Sequence, residues 1–306
     1  MTKVFIDGSA GTTGLRIVQR LSERKDITLL KLDEEKRKNP EARAEMLNSA
    51  DIAFLCLPDE AAVEAVNLIQ NTHTAVIDTS TAHRTSPGWV YGFAELQGQY
   101  EKIAGSKRVA NPGCHASGFI ALVKPLISAE LIDPEEKLSC FSLTGYSGGG
   151  KKMIAEYEGD HRSPLLKAPR QYALNQNHKH LREMSIISGL KEKPIFCPIV
   201  SDFLSGMEVT VPLFADSNRN VQTISELYQS YYSSGLVRFV SDCNESGFLS
   251  SGALSGSDAM EISVHGNEER LVLVARFDNL GKGASGAAIQ NMNILLGVDS
   301  TTGLIS

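Results

Sequence analysis

The sequence predicts an α/β protein of two domains: a parallel-sheet domain with helices on both faces, then an α+β domain. Three observations predict it. Short apolar runs alternate with stretches of helical spacing in the first part of the chain. A glycine loop joins the first run to the first helix. After about Leu126 the rhythm changes to longer runs that alternate polar and apolar residues. Strand–helix alternation builds a parallel sheet, because each crossover lays a helix on a sheet face.

The strand runs of the first domain are Val4–Asp7, Ile27–Leu32, Ile52–Leu57, Ala75–Asp78 and Val109–Ala110. Between them, Leu15–Arg24, Glu41–Asn48 and Ala61–Asn71 carry apolar residues at helical spacing, as at Ala62, Val63, Val66 and Ile69. Ile52–Leu57 is apolar throughout, as a strand buried on both faces must be. In the second domain the strand runs are Leu138–Ser147, Met207–Phe214, Ala259–His265 and Leu271–Phe277. Polar–apolar alternation in Glu208–Val211 and Glu261–Val264 points to a sheet with one face on a core and the other on solvent, helices or a partner subunit. The tail Gly283–Leu296 returns to helical spacing.

The bulk composition narrows the class. With 306 residues, 42% hydrophobic and 22% charged, the chain can bury a core without disulfides or metals. A net charge of -6 disfavours nucleic acid, and no apolar run approaches a membrane span. The first residues enter a strand at once, which leaves no room for a signal peptide. Cys56, Cys114, Cys140, Cys197 and Cys243 are odd in number, scattered and never in a C-x-x-C pair. Free thiols in the cytoplasm are therefore expected, and no metal site.

Gly8-Ser9-Ala10-Gly11-Thr12-Thr13-Gly14 lies between a strand and a helix, the context of a Rossmann-like dinucleotide-binding domain. Gly8 permits the tight turn, Gly11 lets the backbone approach a pyrophosphate, and the helix start offers N–H groups to the phosphates. The spacing is G-x-x-G-x-x-G, so the context carries the assignment. At the end of the second strand, Asp33 favours a free ribose hydroxyl. Lys36, Arg37 and Lys38 just after it suit a 2′-phosphate or form a solvated helix face. These residues alone leave NAD and NADP open.

The sharpest site is Asn111-Pro112-Gly113-Cys114-His115-Ala116-Ser117. A strand ends there in a rigid turn, and a helix follows with Phe119, Ile120, Leu122, Val123, Leu126 and Ile127 on one face. Cys114 thus sits at a helix N-terminus, where the dipole favours thiolate, the nucleophilic form. A lone cysteine is more often a small buried hydrophobe. That fits Cys56, Cys140 and Cys197 but not Cys114, whose neighbours are turn residues. Proton partners are sought among His73, His83, His115, His161, His178, His180 and His265. His178 and His180 stand together with Arg182 and Glu183.

With these motifs the chain resembles the N-acetyl-γ-glutamyl-phosphate reductases, in their shorter form, which share a superfamily with aspartate-semialdehyde dehydrogenase. Gly8–Gly14 is similar to the family's cofactor loop, Asn111–Ser117 to its active-site cysteine segment, and Ile77–Arg84 to a segment ending in arginine. Tyr91–Leu96, Tyr146–Lys151, Asn177–Glu183 and Asp278–Asn293 are similar to further family blocks. The resemblance implies NADPH-dependent reduction of the acyl phosphate to N-acetylglutamate semialdehyde through a Cys114 thioester, in arginine biosynthesis. His180, before His178, is the implied acid/base. Arg84, Asn111, Ser147 and Lys151 are implied on the substrate side, and Lys282, Gly283 and Gly286 near the nicotinamide. The resemblance further implies a C-terminal helix that packs back on the first domain, giving domains 1–116 with 281–306 and 117–280. It also implies a homodimer or homotetramer through the second-domain sheet. The rival readings are an aspartate-semialdehyde dehydrogenase and a non-catalytic dinucleotide sensor.

Overall fold

The structure, a computed structural model, describes residues 1–306. The chain forms two compact units. One comprises Met1–Ala94, Gly98–Pro112 and Ala284–Leu304. The other comprises Glu95–Gln97, Gly113–Gly283 and Ile305–Ser306. The first division lies between Pro112 and Gly113, slightly before the position read from the sequence. The helix that begins at Cys114 is buried within the second unit and belongs to it.

The first unit runs β1 (Thr2–Asp7), α1 (Thr12–Leu21), β2 (Ile27–Leu30), α2 (Pro40–Ser49), β3 (Ile52–Leu55), α3 (Asp59–Asn67), β4 (Ala75–Asp78), β5 (Val90–Tyr91), α4 (Gln99–Ala104) and β6 (Arg108–Ala110). Its six strands are all parallel, in the order β2-β1-β3-β4-β6-β5. Strand order reverses beside β1, and open α/β sheets bind their ligands at such a reversal. β2 and β3 end two residues earlier than their apolar runs do. The helices begin earlier than periodicity indicates: α1 starts at Thr12, and α3 starts at Asp59, where two acids occupy the first turn. β5 and α4 are too short for periodicity to detect. Apolar side chains of the sheet feed a core on each face, one around Phe54 and Ile77, the other around Phe5, Leu55 and Val76.

The second unit runs α5 (Cys114–Ser128), β7 (Ser139–Gly145), α6 (Gly150–Glu158), β8 (Arg170–Gln171), α7 (His180–Ser188), β9 (Ile195–Ser201), β10 (Met207–Phe214), α8 (Val221–Tyr231), β11 (Val237–Phe239), β12 (Met260–Gly266) and β13 (Arg270–Phe277). Its mixed seven-stranded sheet has the order β11-β12-β13-β10-β7-β9-β8. β9 escapes the sequence pattern because Pro198 interrupts it. It pairs parallel to β7 and antiparallel to β8. One sheet face packs on α5 and α8. On β7, Cys140 and Ser142 are buried while Phe141 is exposed, and Ile195 and Phe214 are exposed on neighbouring strands.

α5 is the apolar spine of this unit, with Phe119 to Val123 fully buried. A Cβ on Gly118 would stand 2.6 Å from Val209, so the helix lies close on the sheet. Pro125 interrupts its ladder by removing the N–H that would reach the Ala121 carbonyl. The Tyr232 hydroxyl donates to that carbonyl instead, at 2.7 Å, and Tyr228 donates to Leu122 O at 2.5 Å. After β13 a π-helical turn, Gly281–Ser285, leads into α9 (Gly286–Leu296). α9 returns to the first unit, where Ala288, Ile289, Met292 and Ile294 join the core around Phe54.

Candidate active site

In the first unit the glycine loop follows β1. Gly8 has φ +86°, and a Cβ there would lie 2.2 Å from the Cys56 carbonyl oxygen. Only glycine fits, because β3 ends against this turn. Gly14 is held as tightly: a Cβ would meet Gly8 O at 2.4 Å. Gly11 differs. It is the N-cap of α1, and a Cβ there would make only ordinary contact, 3.5 Å from Gly8 O. The chain's own packing does not demand glycine at that position, whereas a ligand lying close on the backbone would. No side chain caps α1 and no acid stands in its first turn, so Thr12, Thr13 and Gly14 present N–H groups suited to an anion.

Beside the loop is a cavity of about 380 Å³ whose lining includes Gly8, Ser9, Ala10, Lys31, Glu34 and Arg37. The residues fit a dinucleotide, with a backbone cradle for phosphates and a largely apolar trough next to it. Asp33 is not at the strand end, because β2 stops at Leu30. It is solvent-exposed, 3.8 Å from Lys36. Arg37 lines the cavity and pairs with Glu34 at 3.0 Å. Asp7, at the end of β1, is buried against Arg43. Burial raises its pKa and the Arg43 hydrogen bond opposes that rise.

After β4 the backbone is held by a buried carboxylate. Asp78 accepts from the Ser80 N–H and hydroxyl and lies 2.6 Å from His83 Nδ1. The His83 ring stacks on Trp89 at 4.0 Å. The adjacent Arg84 is buried. Its Nε donates to Asn111 O at 2.9 Å and its Nη2 to Thr79 O at 3.2 Å. The Asn111 amide is engaged as well: Nδ2 donates to Ala284 O, and Oδ1 accepts from Asn291.

In the second unit Cys114 is the first residue of α5 and is partly exposed. Its N-cap, Gly113, has no side-chain cap, and no acid stands in the first turn. This is the environment that favours thiolate. A carboxylate from another element holds the turn: Glu183 Oε2 on α7 accepts the Gly113 N–H at 3.2 Å. The other oxygen of Glu183 lies 3.9 Å from His180 Nε2. Three histidines cluster here, with ring centroids 5.6 Å apart for His115–His178, 5.5 Å for His115–His180 and 4.7 Å for His178–His180. His178 Nδ1 accepts the His180 backbone N–H at 3.1 Å, so that nitrogen carries no proton. His115 is buried between Ser142 Oγ and Tyr172 Oη, each 2.7 Å from a ring nitrogen. Burial, and secondarily His178, push its pKa down to about 3. The Tyr172 phenol is pushed up, by burial first and then by the charge of Cys114.

Gly283 lies against the nucleophile: a Cβ there would stand 3.0 Å from the Cys114 Cβ. Lys282 is fully buried, and its Nζ donates to Glu95 at 2.6 Å. Burial lowers its pKa while Glu95 raises it. Ser147 is buried and accepts from Asn279 Nδ2, and Lys151 is exposed in the first turn of α6. Gly286 opens α9. Cys140 is buried and Cys56 partly buried, and desolvation pushes both thiols up, Cys56 to about 12. No three His, Cys, Asp or Glu side chains are arranged to hold a metal ion.

Sequence reasoning gave no role to Glu183, Tyr172 or Ser142. Glu183 carries a signal that could have found it, its i+3 spacing from His180. Tyr172 and Ser142 carry none, because only the fold brings them to His115.

Comparison with known proteins bears on the whole chain. Residues 3–105 match the model of the semialdehyde dehydrogenase NAD binding domain, and residues 114–279 that of the semialdehyde dehydrogenase dimerisation domain. An N-acetyl-gamma-glutamyl-phosphate reductase 2 of Nostoc sp. is 44% identical, with 99% of each chain covered. An N-acetyl-gamma-glutamyl-phosphate reductase of Brucella ovis is 45% identical, covering 96% of this chain and 99% of its own. Among solved structures, Vibrio cholerae aspartate semialdehyde dehydrogenase II complexed with ASA superposes with TM-score 0.74 at 15% identity, covering 97% of this chain and 98% of its own. The Candida albicans aspartate semialdehyde dehydrogenase with NADP gives TM-score 0.68 at 15% identity, covering 97% and 99%. At these identities the solved structures speak for the fold.

Proposed function

We propose that this chain, which belongs to the semialdehyde dehydrogenase family and within it to the N-acetyl-gamma-glutamyl-phosphate reductases, acts through the Cys114 thiolate with His180 as its acid/base. It is an oxidoreductase of amino-acid biosynthesis. It reduces N-acetyl-γ-glutamyl phosphate to N-acetylglutamate semialdehyde, a step towards arginine. The observation that carries the assignment of the site is the position of Cys114. It stands at an uncapped helix start, on a turn clamped by Glu183, in the same unit as a histidine that shares that carboxylate.

His180 takes the thiol proton as the sulfur attacks the acyl carbon. A C–S bond forms and the C–O bond to phosphate breaks. The phosphate leaves with the electron pair and the proton that His180 held. The nicotinamide cofactor supplies the hydride that brings the thioester to the aldehyde level. On release of the aldehyde the C–S electron pair returns to Cys114, and His180 takes up a proton from solvent. His180 is preferred to His178 because Glu183 faces it and stabilises its cationic form, whereas a backbone N–H directed at His178 Nδ1 favours a neutral ring. Arg84 and Lys151 provide cationic charge for the anionic substrate. Asn111 and Ser147 stand on the substrate side and Lys282 near the nicotinamide in this reading, each held in place by a hydrogen bond inside its own unit.

The cofactor is NADP in this reading. Gly8–Gly14 would hold the pyrophosphate. Lys31 and Arg37 place two cations at the cavity wall, whose two acids, Asp7 and Glu34, are each paired with an arginine, Arg43 and Arg37. The chain assembles with copies of itself through the exposed sheet face that carries Phe141, Ile195 and Phe214, and sedimentation equilibrium showing a monomer would overturn this. Turnover of Cys114→Ser tests the central assignment. The expected result is no reduction of the acyl phosphate with NADPH binding retained. Wild-type-like turnover would end the covalent mechanism.

A further inference from the structure

The turn that follows β13 is held by two different tethers. At its start the Asp278 carboxylate accepts the Leu280 N–H at 2.7 Å, and the Asp278 carbonyl accepts from the N–H groups of Gly281 and Gly283 at 3.1 Å and 3.0 Å. Gly281 is wedged there, since a Cβ on it would lie 2.1 Å from the Ser257 carbonyl oxygen. Further along, the tether is the Lys282 side chain. Its Nζ donates to Glu95 Oε2 at 2.6 Å, and the two side chains are 0% and 5% exposed. Glu95 is braced in turn. Its Oε1 accepts the Leu236 N–H at 3.3 Å, and Gly235, at φ +95°, brings the backbone before β11 close to it.

A buried ammonium is a costly way to fill space. Desolvation disfavours its charged form, and a methionine would pack in a similar volume without that cost, so packing alone does not call for lysine here. What the pair supplies is direction: a hydrogen-bonded ion pair fixes where the side chain ends, whereas an apolar contact lets it slide. The lysine head is enclosed, so it acts on the site through the backbone that carries it. That backbone is a π-helical turn, a form found mostly at functional sites. The next residue is Gly283, on which a Cβ would stand 3.0 Å from that of Cys114. Resting on Cys114 as the nucleophile of the proposed mechanism, we infer that Glu95 and Lys282 are positioning residues: their buried ion pair fixes the far end of this turn and thereby the Gly283 backbone that bounds the Cys114 thiol.

The test is the double variant Glu95→Gln/Lys282→Met. It removes both charges together, keeps an acceptor for the Leu236 N–H and leaves no unpaired ion, so it should fold and melt like wild type. A merely structural pair would then leave turnover unchanged. For a positioning pair, kcat with N-acetyl-γ-glutamyl phosphate and NADPH should fall about tenfold or more, the lower end of what misplacing a reacting group costs. KM for both substrates should stay within about twofold, since binding groups are untouched. Alkylation of Cys114 by iodoacetamide, followed by peptide mass spectrometry, should become at least about threefold faster as the bounding backbone loosens. A folded double variant with kcat within about twofold of wild type, or with unchanged Cys114 alkylation, would overturn the assignment. Should the double variant not fold, Glu95→Asp decides. It draws the carboxylate back by one methylene and keeps both charges, and wild-type kcat there also overturns the assignment. Cys114→Ser in parallel separates the two readings: inactive Cys114→Ser beside a double variant of normal kcat rejects the positioning pair and keeps the thioester. Alkylation needs no turnover, so it reads the turn whichever way Cys114→Ser comes out.

Discussion

Gly283 and Cys114 touch through the place where a side chain on the glycine would be. A Cβ on residue 283 would stand 3.0 Å from the Cβ of the nucleophile and 3.2 Å from the Asp278 carbonyl oxygen. The second contact is backbone and cannot move aside, so any displacement falls on Cys114. Gly283→Ala should therefore cost at least about tenfold in kcat, since a misplacement on the ångström scale can cost 100-fold. Unchanged kcat in Gly283→Ala would show that Cys114 has room to spare.

The two histidines of the His-x-His segment are expected to separate in mutagenesis. His180→Asn should lose about 100-fold or more in kcat, the scale of a positioned acid/base. His178→Asn should lose far less. A reversed order would transfer the role to His178 and would mean that the Glu183 carboxylate serves the Gly113 turn alone.

Burial of neutral His115 makes stability depend on pH. Its folded pKa, about 3, is below the ordinary 6.5. Between those values the unfolded chain binds a proton that the folded chain refuses, so stability is full above the unfolded pKa and falls on acidification. The slope from this one group is at most about 1.4 kcal/mol per pH unit. Denaturant midpoints measured from pH 7 to pH 5 should fall in the wild type and fall less steeply in His115→Gln. Parallel curves would show that His115 is not the group responsible.

Cofactor preference is expected to follow Arg37. Arg37→Ala should lower kcat/KM for NADPH by about tenfold, the equivalent of one charge-assisted hydrogen bond, and leave that for NADH nearly unchanged. Equal loss with both cofactors would place Arg37 at some other part of the dinucleotide.

The amino-acid sequence by itself determined the features that local chemistry encodes. The strand, glycine turn and helix of Val4–Leu21 are legible because a short apolar run gives way to a period of 3.6 across residues that need special backbone freedom. Cys114 is legible as a helix-start thiol because Asn-Pro-Gly ends one element and an apolar face begins the next. The tertiary structure alone decided what joins distant positions. Tyr172 meets His115 across 57 residues, Ser142 meets it across 27, and Lys282 meets Glu95 across 187. It also decided that β9, with a proline inside it, is a sheet strand beside β7. Such contacts leave no periodicity in the sequence. A buried polar atom needs a partner, but it can find one on any element that the packing brings within reach.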